Sequence, residues 1–254
     1  MTILIGAATV LLLAVYIVLI LSYHWRGSKQ FVVDELPDLP KPFGYKMAWL
    51  AVRTDDGEEL ARAIGLSNFM AANWNSGIGT VYDDALGGSY VYITPTIDGW
   101  TFVVGLGLPH PVGVAFIDKL TPLLISLGGK YTEVQYFFTY PLIDFFAWAR
   151  MKDGKLVRAF AVNDEGVVWN KGRISKEERA LGLRLFELRG VRGRSGDAGG
   201  ELVLYPTEDH VLQIANGWGI DPTRLEETGS GEGRGFIAKV PTAWCAERSQ
   251  KRAA

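Results

Sequence analysis

The residues able to do acid–base, nucleophilic or metal chemistry are few, and their spacing is unhelpful to most of it. Histidine occurs at positions 24, 110 and 210 and cysteine only at 245. No His-x3-His or Cys-x2-Cys pair exists, so a zinc site has no local support. A Gly-x-Ser-x-Gly nucleophile elbow and a Walker phosphate loop are both missing. The glycine-rich run from Gly229 to Gly235 departs from the dinucleotide fingerprint and neither follows a strand nor opens a helix. Among the carboxylates, Asp98 and Asp153 each precede glycine and are accounted for by turns. Asp144 is less ordinary, because it sits between Ile143 and Phe145 in an aromatic stretch. Burial there would raise its pKa and suit it to general acid–base work. Its place after Pro141 equally suits a turn or a strand start, and the spacing favours that alternative. Apart from Asp144 as a weak catalytic candidate, the sequence implies no catalytic residue, no metal ligand and no cofactor.

Two other groups could bind rather than react. Tyr136, Phe138, Tyr140, Phe146 and Trp148 belong to a dense aromatic segment. On alternating strands one set faces the core, and the other faces covering helices or a partner. Those five are the candidate partner-binding residues, with a core covered on both faces as the alternative. Arg189, Arg192 and Arg194 form a weaker anion-binding candidate in a glycine-rich loop, where solvated arginines are the commoner outcome.

The elements that must position these residues begin with an uncharged block. Residues 1–23 carry no ionisable side chain other than tyrosine, and Thr2 to Leu21 is almost entirely apolar. A spanning helix needs about 20 such residues. Tyr23, His24 and Trp25 then suit the headgroup level. Residues 2–22 are therefore expected to cross a lipid bilayer as an uncleaved anchor. A signal peptide would need a positive n-region and a shorter apolar core. Lys and Arg occur only on the C-terminal side (Arg26, Lys29, Lys41, Lys46), which is expected to place the main domain in the cytoplasm, below a single-pass helix. A single cysteine excludes an internal disulfide framework. With 26 basic and 28 acidic residues, net charge −2, the chain is not a nucleic-acid binder by bulk electrostatics.

Residues 24–46 contain Pro37, Pro40 and Pro42 and read as a Pro-rich linker, or as an arm laid along the domain. Residues 47–225 read as an α+β domain, an antiparallel sheet of about six to eight strands with about four helices. Two Asp-Gly hairpin signals, Asp98-Gly99 and Asp153-Gly154, punctuate β-rich runs. Thr132–Tyr140, Phe145–Met151, Leu156–Val162 and Val167–Trp169 are expected strands, most of them in a meander. Helices are expected after Asp55 or Asp56, across Ala115–Leu127, from the Ser175/Glu178 capping box through Leu181, Leu185 and Leu188, and from Thr207 to Gly217. Asn73–Gly79 reads as turn-rich, and residues 226–254 as a Gly-rich, polar C-terminal tail.

Trp49-Leu50-Ala51-Val52, Ala72-Asn73-Trp74, Gly99-Trp100, Trp148-Ala149-Arg150 with Gly154 to Ala159, and Val211 to Ala215 before Trp218 carry a diffuse resemblance. On these segments the chain resembles bacterial proteins of the toxin-immunity type, which neutralise antibacterial toxins delivered between cells. The resemblance spans about residues 47 to 225, has no catalytic motif and transfers no functional residue. It implies a membrane-anchored, single-domain binding module whose partner is a protein, a toxin. The other classes are an envelope-associated hydrolase using carboxylates, with Asp144 first, and a structural subunit of a membrane complex, in which Gly6, Ala7 and Ala8 would let the N-terminal helix pack closely.

Overall fold

The computed structural model describes residues 15–16, 33–113, 115–183 and 205–247. The expected membrane helix thus lies outside the described residues except for Val15 and Tyr16. Among the described residues no helix is long and apolar enough to cross a membrane.

From residue 33 onward the chain is α+β, as expected, with one antiparallel sheet of nine strands. In chain order these are β1 (Ala48–Arg53), β2 (Met70–Asn73), β3 (Tyr90–Ile93), β4 (Trp100–Val104), β5 (Glu133–Tyr140), β6 (Phe145–Lys152), β7 (Lys155–Asn163), β8 (Gly166–Gly172) and β9 (Arg234–Lys239). Their spatial order is β2-β9-β3-β4-β1-β5-β6-β7-β8. Local chemistry builds the meander. Asp153 and Gly154 both take positive φ (48° and 75°), the pairing a tight type I′ hairpin needs between β6 and β7. The ninth strand comes from the region expected to be a tail. β9 inserts between β2 and β3, so residues 234–239 are an internal strand, one place in from the sheet's edge.

Among the described residues five α-helices flank the sheet: α1 (Gly57–Ala63), α2 (Trp74–Tyr82), α3 (Leu120–Gly128), α4 (Lys176–Ala180) and α5 (Glu208–Trp218). Asp56 caps α1 by accepting from the Glu59 N–H, and Ser175 with Glu178 forms the expected capping box of α4. α4 ends at Ala180. Leu185 and Leu188, expected to continue it, lie outside the described residues. α3 begins at Leu120 rather than Ala115, just after Asp118, whose carboxylate accepts from the Thr121 N–H.

Strand register explains the burial of both sheet faces. Trp49 pairs with Phe137, which pairs with Trp148, which pairs with Phe160, so these rings share one face. Trp218 of α5 packs on Phe137 at 5.6 Å between ring centroids, and Glu178 of α4 accepts from Trp148 Nε1. The opposite face carries Leu50, Val134, Tyr136, Phe138 and Met151, which join Leu60 of α1 and Leu120, Leu124 and Leu127 of α3 in one apolar cluster. With helices on both sides, strands read as nearly continuous apolar runs.

A buried ion pair ties α4 to the sheet. Arg158 on β7 and Glu178 on α4 are 3% and 0% exposed at the side chain and meet at 2.6 Å. Arg158 Nη1 also donates to the carbonyls of Ala159 and Lys171 and to Asn170 Oδ1, so its donors are widely used.

Residues 33–46 are not a free spacer. They form the docked arm that was the alternative reading. Phe43 is buried against Trp49 and Phe102. Asp38 pairs with Gly233, and its carboxylate accepts from the N–H groups of Trp74 (2.6 Å) and Asn75 (3.0 Å) at the start of α2. Asn73, the cap residue, accepts from Ser76 N–H. This is why a turn-rich sequence becomes a helix: its free N–H groups are satisfied partly by a carboxylate 36 residues away. Gly77 is required as well, since a Cβ there would lie 2.3 Å from the Tyr92 ring on β3. Asp38→Ala is expected to cost about 1–2 kcal/mol, the upper part of the range for losing a cap. A lower urea midpoint at unchanged slope would register it.

Candidate functional site

Among the clefts on the described surface, two contain histidine or clustered carboxylates and differ in chemistry. The larger, about 480 Å³, lies where the β5–β6 connection meets the start of α5. Pro141 opens a single 3-10 turn, Pro141–Ile143, and Asp144 closes it in the left-handed region (φ 49°, ψ 35°). Aspartate tolerates that conformation better than most residues. The turn pushes Leu142 and Ile143 outward, 73% and 51% exposed. The opposite wall is Tyr205, Pro206, Thr207, Glu208 and Asp209, with Tyr45 from the arm and Phe146 below.

Hydrogen bonds fix this wall. Tyr205 Oη donates to the Asp144 carbonyl at 2.8 Å, and its ring meets Phe146 edge-on at 6.2 Å. Tyr45 Oη donates to Asp209 Oδ1 at 3.2 Å, and the Lys46 N–H donates to Glu208 Oε1 at 2.9 Å. The field is negative. The Tyr205 phenol is pushed up to about 12, by burial first and then by Asp144 and Asp164. The Tyr45 phenol is also raised, by desolvation first and then by Asp209.

The capping box of α5 uses a histidine where Glu or Gln is usual. His210 Nδ1 accepts from the Thr207 N–H at 3.0 Å and lies 3.0 Å from Thr207 Oγ1. That contact needs an unprotonated Nδ1. Burial lowers the imidazole pKa below its usual 6.5, and the neighbouring Asp209 offsets part of this. A histidine with a lowered folded-state pKa favours folding above the unfolded value and loses that contribution as pH falls through the folded value. Between pH 7.5 and 5 the wild-type chain should therefore lose more stability than His210→Gln, which keeps a cap acceptor but cannot titrate. Urea midpoints at the two pH values give the comparison.

The smaller cleft, about 190 Å³, is walled by Leu106, Leu108, Val112, Ile117, Val240 and Trp244. His110 lines it, stacked on Phe138 at 5.1 Å, with its Nδ1 buried. Burial lowers its pKa below the usual 6.5, and a backbone hydrogen bond with Leu108 offsets part of this. Cys245 is exposed and lines the same cleft.

The residues singled out from sequence fall as follows. Tyr136, Phe138, Phe146 and Trp148 are buried, and Tyr140 is half-buried. They also cannot form one surface. Register puts Tyr136 and Phe138 opposite Ala149 and Ala147, on one face, while Phe146 and Trp148 point to the other. The binding set is thus core, for the physical reason that helices cover both sides. Asp144 is exposed in a turn, so the burial that general-acid chemistry would need is not there. Arg189, Arg192 and Arg194 lie outside the described residues. Among the described residues no group of three His, Cys, Asp or Glu side chains could hold a metal ion. The larger cleft brings Asp144 to Glu208 and Asp209, and that grouping has no local signature. Only the Pro141 turn and the acidic first turn of α5 were visible, as separate features. No family model, no curated protein and no solved structure matches this chain.

Proposed function

We propose that the chain is a protein-binding module of the toxin-immunity type, held at a bacterial inner membrane by residues 2–22 with its main domain on the cytoplasmic side. One observation supports this reading most. Leu142 and Ile143 are both exposed on a turn that is braced by Pro141, by left-handed Asp144 and by the Tyr205 bond, next to an aromatic cleft. Two adjacent exposed aliphatic residues on a rigid tip, with aromatic and charged residues at their margin, resemble the centre and rim of a protein interface. Anchoring would supply location, and the tip would supply the contact.

The test uses the full chain in its host and a toxin encoded by an adjacent gene. Leu142→Glu with Ile143→Glu is expected to lower protection at least tenfold while thermal unfolding stays unchanged, because neither side chain is buried. Full protection by that variant would overturn the reading. Membrane fractionation of a chain lacking residues 2–22 checks the anchor, with release into the soluble fraction as the expected result.

A further inference from the structure

We propose that the cleft between the β5–β6 turn and α5 receives an arginine side chain from a protein partner. This rests on the binding-module reading and adds the chemistry of the contact. Three carboxylates, Asp144, Glu208 and Asp209, line the cleft together with Tyr45, Tyr205 and Phe146, and among the described residues no Lys or Arg lines it. Two of the acids have an ordinary reason to be there, since first-turn carboxylates complement a helix dipole. Asp144 does not. It comes from a different element, across the cleft, and its carboxylate accepts no hydrogen bond from a described residue, whereas its backbone carbonyl holds Tyr205. Glu208 and Asp209 each spend one oxygen on the arm and keep the other unused among the described residues. Burial first, and then Asp209 at Tyr45 and Asp144 at Tyr205, raise the two phenols.

Aromatic walls with unused acceptors on two sides select a planar cation. A guanidinium can stack on a ring and offer five donors in a fixed fork, while an ammonium is a compact, strongly hydrated point charge. Leu142 and Ile143 at the rim would cover the aliphatic stem of such a side chain. The occupant is thus a basic, solvent-exposed segment of a partner protein rather than a small anion or a lipid.

Methyl signals of Leu142 and Ile143 in the isotope-labelled full chain, held in lipid nanodiscs, report on the rim directly. The probe is the blocked tripeptide acetyl-Gly-Arg-Gly-amide, with the Glu tripeptide as its opposite. Saturable shifts are expected with the Arg probe and none with the Glu probe. Asp144→Asn, which tolerates the left-handed backbone, should raise Kd at least fivefold, as should Asp209→Asn. Raising salt from 50 to 300 mM should weaken binding further. Equal shifts with both probes, no shift with either, or an unchanged Kd in Asp144→Asn would overturn the proposal. Binding that appears only after Arg189, Arg192 and Arg194 are replaced by serine would overturn it too, by assigning the cleft to the chain's own arginines. The two readings fail separately. Arg binding with full protection by the Leu142/Ile143 variant removes the immunity reading and keeps the cleft. Lost protection with no Arg binding does the reverse.

Discussion

Glu178→Ala is expected to destabilise the fold by about 3–5 kcal/mol, the range for removing one member of a buried ion pair. The size follows from what stays behind. Glu178 Oε1 accepts from Arg158 Nε, Arg158 Nη2 and Trp148 Nε1, and Oε2 accepts from Arg158 Nε and the Ser175 N–H. Truncation leaves a guanidinium that is almost fully buried with no counter-charge, an indole N–H with no acceptor, and half a capping box. The desolvation of the charge has already been incurred by folding, so losing its partner costs far more than the pair contributes in net terms. The companion experiment separates these effects. Replacing both partners, Glu178→Leu with Arg158→Met, removes the charge together with its need for compensation and should recover most of the loss. Urea unfolding of the single and double variants measures both. A single-variant loss under about 1 kcal/mol, the surface-pair range, would mean that water reaches the site.

Ending the chain after Gly229 is expected to abolish cooperative unfolding. That deletion removes β9, which hydrogen-bonds β2 on one side and β3 on the other. Among the described residues β2 pairs with no other strand, so it would leave the sheet. β3 would become an open edge next to the core. The deletion also takes away Phe236 from its contact with Phe69 at 5.1 Å, and the Gly231 carbonyl that accepts from Trp74 Nε1. Loss of near-ultraviolet circular dichroism and of a sigmoidal urea transition would register the effect. A single residue reproduces part of it. At Gly235 a Cβ would lie 1.9 Å from the Ile93 carbonyl oxygen, a backbone atom that cannot rotate aside. Gly235→Ala is expected to cost at least about 3 kcal/mol, the top of the usual range for overpacking. Gly79→Ala is the control, because a Cβ there meets nothing within 4 Å and a helix interior favours alanine. It should be neutral or raise stability by about 0.5–1 kcal/mol.

The contrast between β7 and β9 shows what a sequence can disclose here. β6, β7 and β8 are bounded by turn residues whose backbone preferences are local, so Asp153-Gly154 and Gly166 announce them. β9 carries its glycine for a tertiary reason, the approach of Ile93, and a glycine placed for that purpose looks the same as one in a loose tail. α2 fails to announce itself in the same way, because Asp38 caps it from the arm. The aromatic segment was legible as alternating strands. Whether the outward set met solvent depended on α4 and α5, which dock through Glu178 on Trp148 and Trp218 on Phe137, and Glu178 and Trp218 lie far along the chain from the aromatic segment. The candidate cleft was legible only in halves, since Asp144 and Asp209 lie 65 residues apart and meet through the packing of α5 on the sheet.

The arm also sets the route by which tension would enter the domain. A pull on the chain before residue 33 loads first a compact set of bonds in parallel: the Asp34 N–H to Ser76 Oγ, the Asn73 N–H to the Asp34 carbonyl, and the Asn73 amide to the Leu36 carbonyl. The Asp38 carboxylate on the α2 N–H groups comes next along the same path. β1, the strand at the centre of the sheet, lies downstream of this attachment and stays shielded until it gives way. A chain pulled from its N-terminal side would yield at its arm and keep its sheet. Force–extension traces should show that sacrificial step at lower force in Asp38→Ala than in the unaltered chain.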